Sequence, residues 1–86
     1  MTKQLQEPPL SELIGRVGTN LRRIRLKKEL ESSELAKMIG CHRATIIKYE
    51  NGRVNIPIAT LEKIADALDV TIAELVESSS DTEKIK

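Results

Sequence analysis

The spacing of aliphatic residues constrains this chain more than any other feature. Ile14, Val17, Leu21 and Ile24 recur at intervals of three and four, which places them along one stripe of an α-helix. Leu35, Ala36 and Ile39 repeat the pattern, as do Ile58, Leu61, Ile64, Ala65 and Leu68. No stretch alternates apolar and polar residues as a half-buried strand would. The spacing therefore predicts an all-α fold of five short helices. Ser11 is placed to cap the first, although Gly15 and Gly18 weaken its front and allow a start as late as residue 18. The second reads as Ser32 to Ile39, closed by Gly40 in the left-handed region; Glu31 stands where Ser, Thr or Asp caps best, and Ser32 and Ser33 cap only if the start moves. The third runs from about Arg43 to Glu50 and ends in the Asn51-Gly52 turn. Pro57 opens the fourth, and Thr71-Ile72-Ala73-Glu74 has the form of a capping box opening the fifth.

The packing material is almost wholly aliphatic: Tyr49 is the single aromatic among 86 residues. Readers of single-stranded nucleic acid stack bases on several exposed rings, and one Tyr supplies no such platform. Cys41 and His42, the sole Cys and His, are adjacent. They support neither a disulfide framework nor a zinc site, so no metal and no cofactor is expected. No apolar stretch suits a membrane span or a signal-peptide core, which points to a cytoplasmic protein without a membrane partner. Residues 1–10 read as a flexible arm, 11–76 as one domain and 77–86 as a polar tail, which would equally serve as a linker in a longer regulator. A domain of that size buries only about 60% of its unfolded surface, so a partner surface or a dimer would help it.

Formal net charge is +1, but the average hides a division. Residues 16–53 carry ten Arg and Lys against four Glu, whereas residues 54–86 carry three Lys against seven acids. A basic segment joined to an acidic one is the pattern of a surface that faces a polyanion.

The most informative stretch is Leu35-Ala36-x-x-Ile39-Gly40-Cys41-x-x-x-Thr45-Ile46-x-x-Tyr49-Glu50-Asn51-Gly52. Two helices of about eight residues joined by a tight Gly-containing turn have the spacing of a helix-turn-helix. Ala36 is small where the helices cross, and Cys41 and Ile46 are apolar where the second packs on the first. With Leu21-x-x-Ile24-Arg25 before it, and Thr60-Leu61-x-Lys63-Ile64-Ala65-x-Ala67-Leu68 and Val70-Thr71-x-x-Glu74-Leu75 after it, the chain resembles the XRE-type helix-turn-helix family, which includes the lambda-type repressors and Cro. The resemblance spans about residues 14–76 and implies a compact five-helix, lambda-repressor-like fold.

It also implies roles for individual residues. The family lays the outer face of its third helix in the DNA major groove, and here that face carries Arg43, Ala44, Ile47 and Lys48. Arg43 would pair with guanine, Lys48 with guanine or phosphate, and Ala44 and Ile47 would pack on thymine methyls. Ser32, Ser33, His42, Thr45, Asn51 and Arg53 would meet phosphates, His42 while capping the third helix. Arg25 and Glu50 would form a structural ion pair fixing that helix. Three positions depart from the family pattern: Glu31-Ser32 replaces a Ser or Thr cap followed by Gln, His42 replaces a Ser or Thr cap, and Ile47 replaces a small or polar residue.

Catalysis has no foundation in this sequence. Cys41 and His42 are neighbours across a turn, an awkward geometry for a shared reaction centre, and no Gly-rich phosphate loop or small-molecule site is evident. The resemblance implies a sequence-specific regulator, a repressor that binds double-stranded DNA as a homodimer, since one such module buries too little surface for selective binding. Val70, Ile72, Leu75 and Val76 are candidates for the dimer surface or, equally, for closing the core. The rival reading is an antitoxin or protein-interaction module of the same fold, which has no need of Arg43, Lys48 and Arg53 on one side.

Overall fold

A computed structural model describes residues 10–78. Among them are five helices and no strand: α1 (Leu10–Lys27), α2 (Ser32–Ile39), α3 (Arg43–Glu50), α4 (Ile58–Leu68) and α5 (Ile72–Val76). The expected arm and tail fall almost wholly outside the described residues. The aliphatic stripes supply the core, with Val17, Leu21 and Ile24 from α1 meeting Leu35, Ala36, Ile46, Ile64, Ala65, Leu68 and Leu75. Tyr49 is buried with them. α2 packs on α3 and α4, and α1 lies against both α3 and α5.

Three local expectations need correction. α1 begins at Leu10 and runs unbroken through both glycines, so Ser11 sits inside its first turn instead of capping it. The reason is tertiary. A Cβ on Gly18 would lie 2.4 Å from the Tyr49 carbonyl oxygen and 2.8 Å from that of Glu50, so this glycine lets α1 press directly on the end of α3. That contact outweighs a helix-propensity cost of about 1 kcal/mol. Ile58, expected in the inward stripe of α4, is instead 75% exposed. It is the first residue of its helix, after Pro57 at the N-cap, and stands at the rim of a groove instead of inside the core. Leu75, a candidate for a dimer surface, is fully buried, while Val70, Ile72 and Val76 are half-buried against the same core; this group closes the core.

The first four helices terminate alike. At each C-terminus one residue takes positive φ: Glu29 (59°), Gly40 (78°), Gly52 (69°) and Asp69 (59°). The following N–H reaches back five residues, as in Leu30 to the Arg25 carbonyl (3.1 Å), Cys41 to Ala36 (2.9 Å), Arg53 to Lys48 (3.1 Å) and Val70 to Ala65 (2.9 Å). This is the Schellman closure, which satisfies carbonyls that a helix end otherwise strands. Gly40 and Gly52 adopt it without penalty; Glu29 and Asp69 carry a side chain in a region costly for L-residues.

Two stability measurements follow. Gly18→Ala is expected to lower unfolding free energy by about 2–3 kcal/mol in urea denaturation, with the m-value unchanged, because the methyl meets rigid backbone. Glu29→Gly is expected to raise it by about 0.5–1 kcal/mol by relieving the left-handed conformation.

Candidate nucleic-acid interface

α3 is held from one side. Ile46 and Tyr49 point into the core, so helical geometry turns Arg43, Ala44, Ile47 and Lys48 the other way. Arg43, Ala44 and Lys48 are exposed and Ile47 is half-buried. Two cations and two apolar side chains thus share one solvent face with no acid among them. Arg53 is exposed where the chain leaves α3, and its N–H closes the helix on the Lys48 carbonyl. Asn51, also exposed, occupies the preceding C-cap at φ −86°.

The N-terminal ends carry the other residues expected at phosphates. His42 occupies the N-cap of α3, but its ring makes no capping hydrogen bond, contrary to the expected cap. The turn is closed by backbone: the Thr45 N–H donates to the His42 carbonyl at 2.9 Å. His42 is exposed and Thr45 half-buried. At α2 the N-cap is Glu31, and neither Ser32 nor Ser33 caps. Glu34 turns back so that its Oε1 accepts from the Glu31 N–H at 2.7 Å. A carboxylate of this chain therefore already sits at the positive end of α2, beside the serines implied to meet phosphate.

The basic segment does not converge on one face. Arg23, Lys27 and Lys28 line a separate cleft of about 400 Å³ between α1 and α5, opposite Glu74 and Glu77. Only part of the excess positive charge remains for α3.

Arg25 and Glu50 join α1 to the end of α3. Arg25 Nε donates to Glu50 Oε2 at 2.6 Å and Nη2 donates to Oε1 at 3.0 Å, while Nη1 donates to the Leu30 carbonyl at 2.7 Å. Both side chains are buried, at 9% and 5% exposure. The bond to Glu50 raises the Arg25 pKa, burial opposes it, and the charges of Glu50 and Glu31 add to the rise. Burial also pushes up the Cys41 thiol and the Tyr49 phenol, the latter with a contribution from Cys41. A thiol held protonated is a poor nucleophile.

One buried polar residue escapes the sequence reading. Asn20 is 1% exposed, and its Nδ2 donates to the Leu75 carbonyl at 2.9 Å and the Glu77 carbonyl at 2.8 Å. Its Oδ1 accepts from Arg23 Nη2 at 3.3 Å. The signal was available: Asn20 lies inside the apolar stripe between Val17 and Leu21, where a polar side chain must find partners. It ties α1 to the last carbonyls of α5.

Among the described residues no group of His, Cys, Asp and Glu could hold a metal ion, and no helix is long and apolar enough to cross a membrane.

A short helix crossing a second at a glycine turn, with the second helix buried on one side and basic on the other, defines the helix-turn-helix class. The chain belongs to the XRE-type helix-turn-helix family of DNA-binding transcriptional regulators: residues 21–75 match the family described as Helix-turn-helix. It is 36% identical over 71 residues to the cryptic phage CTXphi transcriptional repressor RstR of Vibrio cholerae, covering 80% of this chain and 64% of that protein, just under two thirds of its length. It is 36% identical over 76 residues to the control protein C.MunI of a Mycoplasma species, covering 87% of this chain and 99% of the relative. Among solved structures, the hypothetical transcription factor NHTF from Neisseria superposes with a TM-score of 0.79 at 28% identity, over 98% of both chains. The restriction-modification controller protein C.AhdI from Aeromonas hydrophila gives 0.72 at 31% identity, over 76% of this chain and 94% of that one.

The ion pair can be tested by a double-mutant cycle. Arg25→Met strands a buried carboxylate and is expected to cost about 3–5 kcal/mol in urea denaturation; adding Glu50→Leu should return most of that loss.

Proposed function

We propose that this chain is a cytoplasmic, sequence-specific repressor that reads the major groove of double-stranded DNA with α3, as a two-fold dimer on paired half-sites. The observation that carries the reading is the outer face of α3, where Arg43, Ala44, Ile47 and Lys48 are turned from the core with no acidic neighbour on that face. An Arg near the helix N-terminus suits bidentate pairing with guanine O6 and N7, and Ala44 and Ile47 suit thymine methyls. Lys48 supplies either a guanine or a phosphate contact. Ser33, His42, Asn51 and Arg53 are exposed, and Ser32 and Thr45 half-buried, at the ends of α2 and α3, where backbone N–H groups and hydroxyls suit phosphate. Similarity to a phage transcriptional repressor supports repression by occupancy of promoter DNA.

Selection from a randomised duplex pool tests the reading. The wild type is expected to enrich a symmetric motif whose half-sites lie one helical turn apart. Arg43→Ala should relax one position in each half-site, with about 1–3 kcal/mol less discrimination there, and affinity should fall steeply between about 50 and 200 mM salt. No enriched motif would sink sequence-specific binding, and a flat salt response would favour a protein partner.

A further inference from the structure

We infer that the cleft between the end of α1 and α5 binds a small zwitterion of the amino-acid class, with its carboxylate toward α1, its ammonium toward α5 and an aliphatic body between them. No residue of α3 lines this cleft, so the inference goes beyond the reading above and stands without it.

The cleft holds about 400 Å³, a volume in the range of small-molecule sites. Its two walls carry opposite charge. Arg23 and Lys27 on α1 and Lys28 just past its end form one wall, and Glu74 on α5 and Glu77 at its C-cap form the other. All five are exposed, yet no ion pair crosses from wall to wall: among the described residues the only ion pair is Arg25 with Glu50. Two of the five are held from behind. Arg23 Nη2 donates to Asn20 Oδ1 at 3.3 Å, and Asn20 is buried. Glu74 Oε2 accepts from the Thr71 N–H at 3.3 Å and from the Thr71 hydroxyl at 3.2 Å. These bonds orient the guanidinium and the carboxylate while leaving Arg23 Nε and Nη1 and Glu74 Oε1 for a ligand. Ile24 and Val70 supply apolar lining between the walls.

The class of ligand follows from the two walls taken together. A simple anion drawn to the basic wall would face Glu74 and Glu77, and a simple cation drawn to the acidic wall would face three positive groups. A site of this kind selects by repelling the wrong sign as much as by attracting the right one. A molecule with one charge of each sign answers both walls at once, and its methylene groups lie along Ile24 and Val70. Position gives the ligand an effect on the fold. It would join α1 to α5, the two elements that Asn20 already ties through the Leu75 and Glu77 carbonyls, so occupancy stabilises the folded chain by mass action.

Titration of the isotope-labelled full chain with ω-amino acids from β-alanine to ε-aminocaproate, followed by amide chemical shifts at fixed ionic strength, tests the site. Shifts that saturate in the millimolar range are expected at residues 23–28 and 70–77 and not at residues 43–48. Affinity should peak at one chain length, because carboxylate and ammonium must reach opposite walls together. Glutarate and cadaverine, with two like charges on a comparable chain, should bind at least about tenfold more weakly. Lys27→Gln combined with Lys28→Gln, and separately Glu77→Gln, should each weaken the zwitterion about tenfold, with circular dichroism of the unliganded variants unchanged. Arg43→Ala should leave binding as it is. Absence of saturable shifts across the series, shifts centred on α3, or glutarate binding as well as the zwitterions would each overturn the inference. None of these outcomes bears on the duplex selection, so the site and the DNA reading stand or fall separately.

Discussion

Arg25 holds three parts of the molecule at once. Its guanidinium grips the Glu50 carboxylate at two points and the Leu30 carbonyl at a third, so α1, the turn into α2 and the last residue of α3 share one planar group. The fork geometry of Arg suits this; a Lys could not reproduce it. Burying two charges costs several kcal/mol before their attraction offsets it, so the pair gives the fold direction more than net stability. The contact is reinforced nearby, where Gly18 admits the carbonyls of Tyr49 and Glu50 and Gly52 passes close to Gly15. The C-terminal end of α3 is therefore fixed by charge, by sterics and by a helix closure together.

Much of this was legible because the determinants are local. Gly40 and the Asn51-Gly52 turn marked where α2 and α3 end, Thr71 caps α5 by accepting from the Glu74 N–H at 3.1 Å, and Gly40 takes the positive φ its position demanded. What escaped depends on the partner across the space between elements. Gly18 reads as a helix weakness until the end of α3 is seen against it. Ile58 fits the stripe by number, yet at the first position of α4 it is left 75% exposed while Leu61, one turn on, is buried. Glu29 and Asp69 close their helices in a conformation their residue types disfavour, and the closures there show the backbone winning over the side chain.

The same limit applies to charge. Along the chain the basic residues form one block, but a helix distributes its residues around an axis. Arg23, Lys27 and Lys28 end in a cleft with Glu74 and Glu77, and Arg25 is neutralised by Glu50. Net charge over a segment measures proximity in sequence, whereas a partner meets proximity in space. At α2, two glutamates adjacent to the serines alter the site in a way that a motif match does not register.

The one-sided burial of α3 has a consequence for how such a protein can change. Ile46 and Tyr49 carry the packing of the helix, and Glu50 its anchor; Arg43, Ala44 and Lys48 carry none of it. Under the proposed reading of DNA by α3, stability and recognition are thereby written in separate alphabets on one eight-residue helix. Substitutions on the outer face should combine nearly independently of those within the core, so a lineage can exchange its target by rewriting a few outward positions while the scaffold beneath remains under its own, unrelated selection.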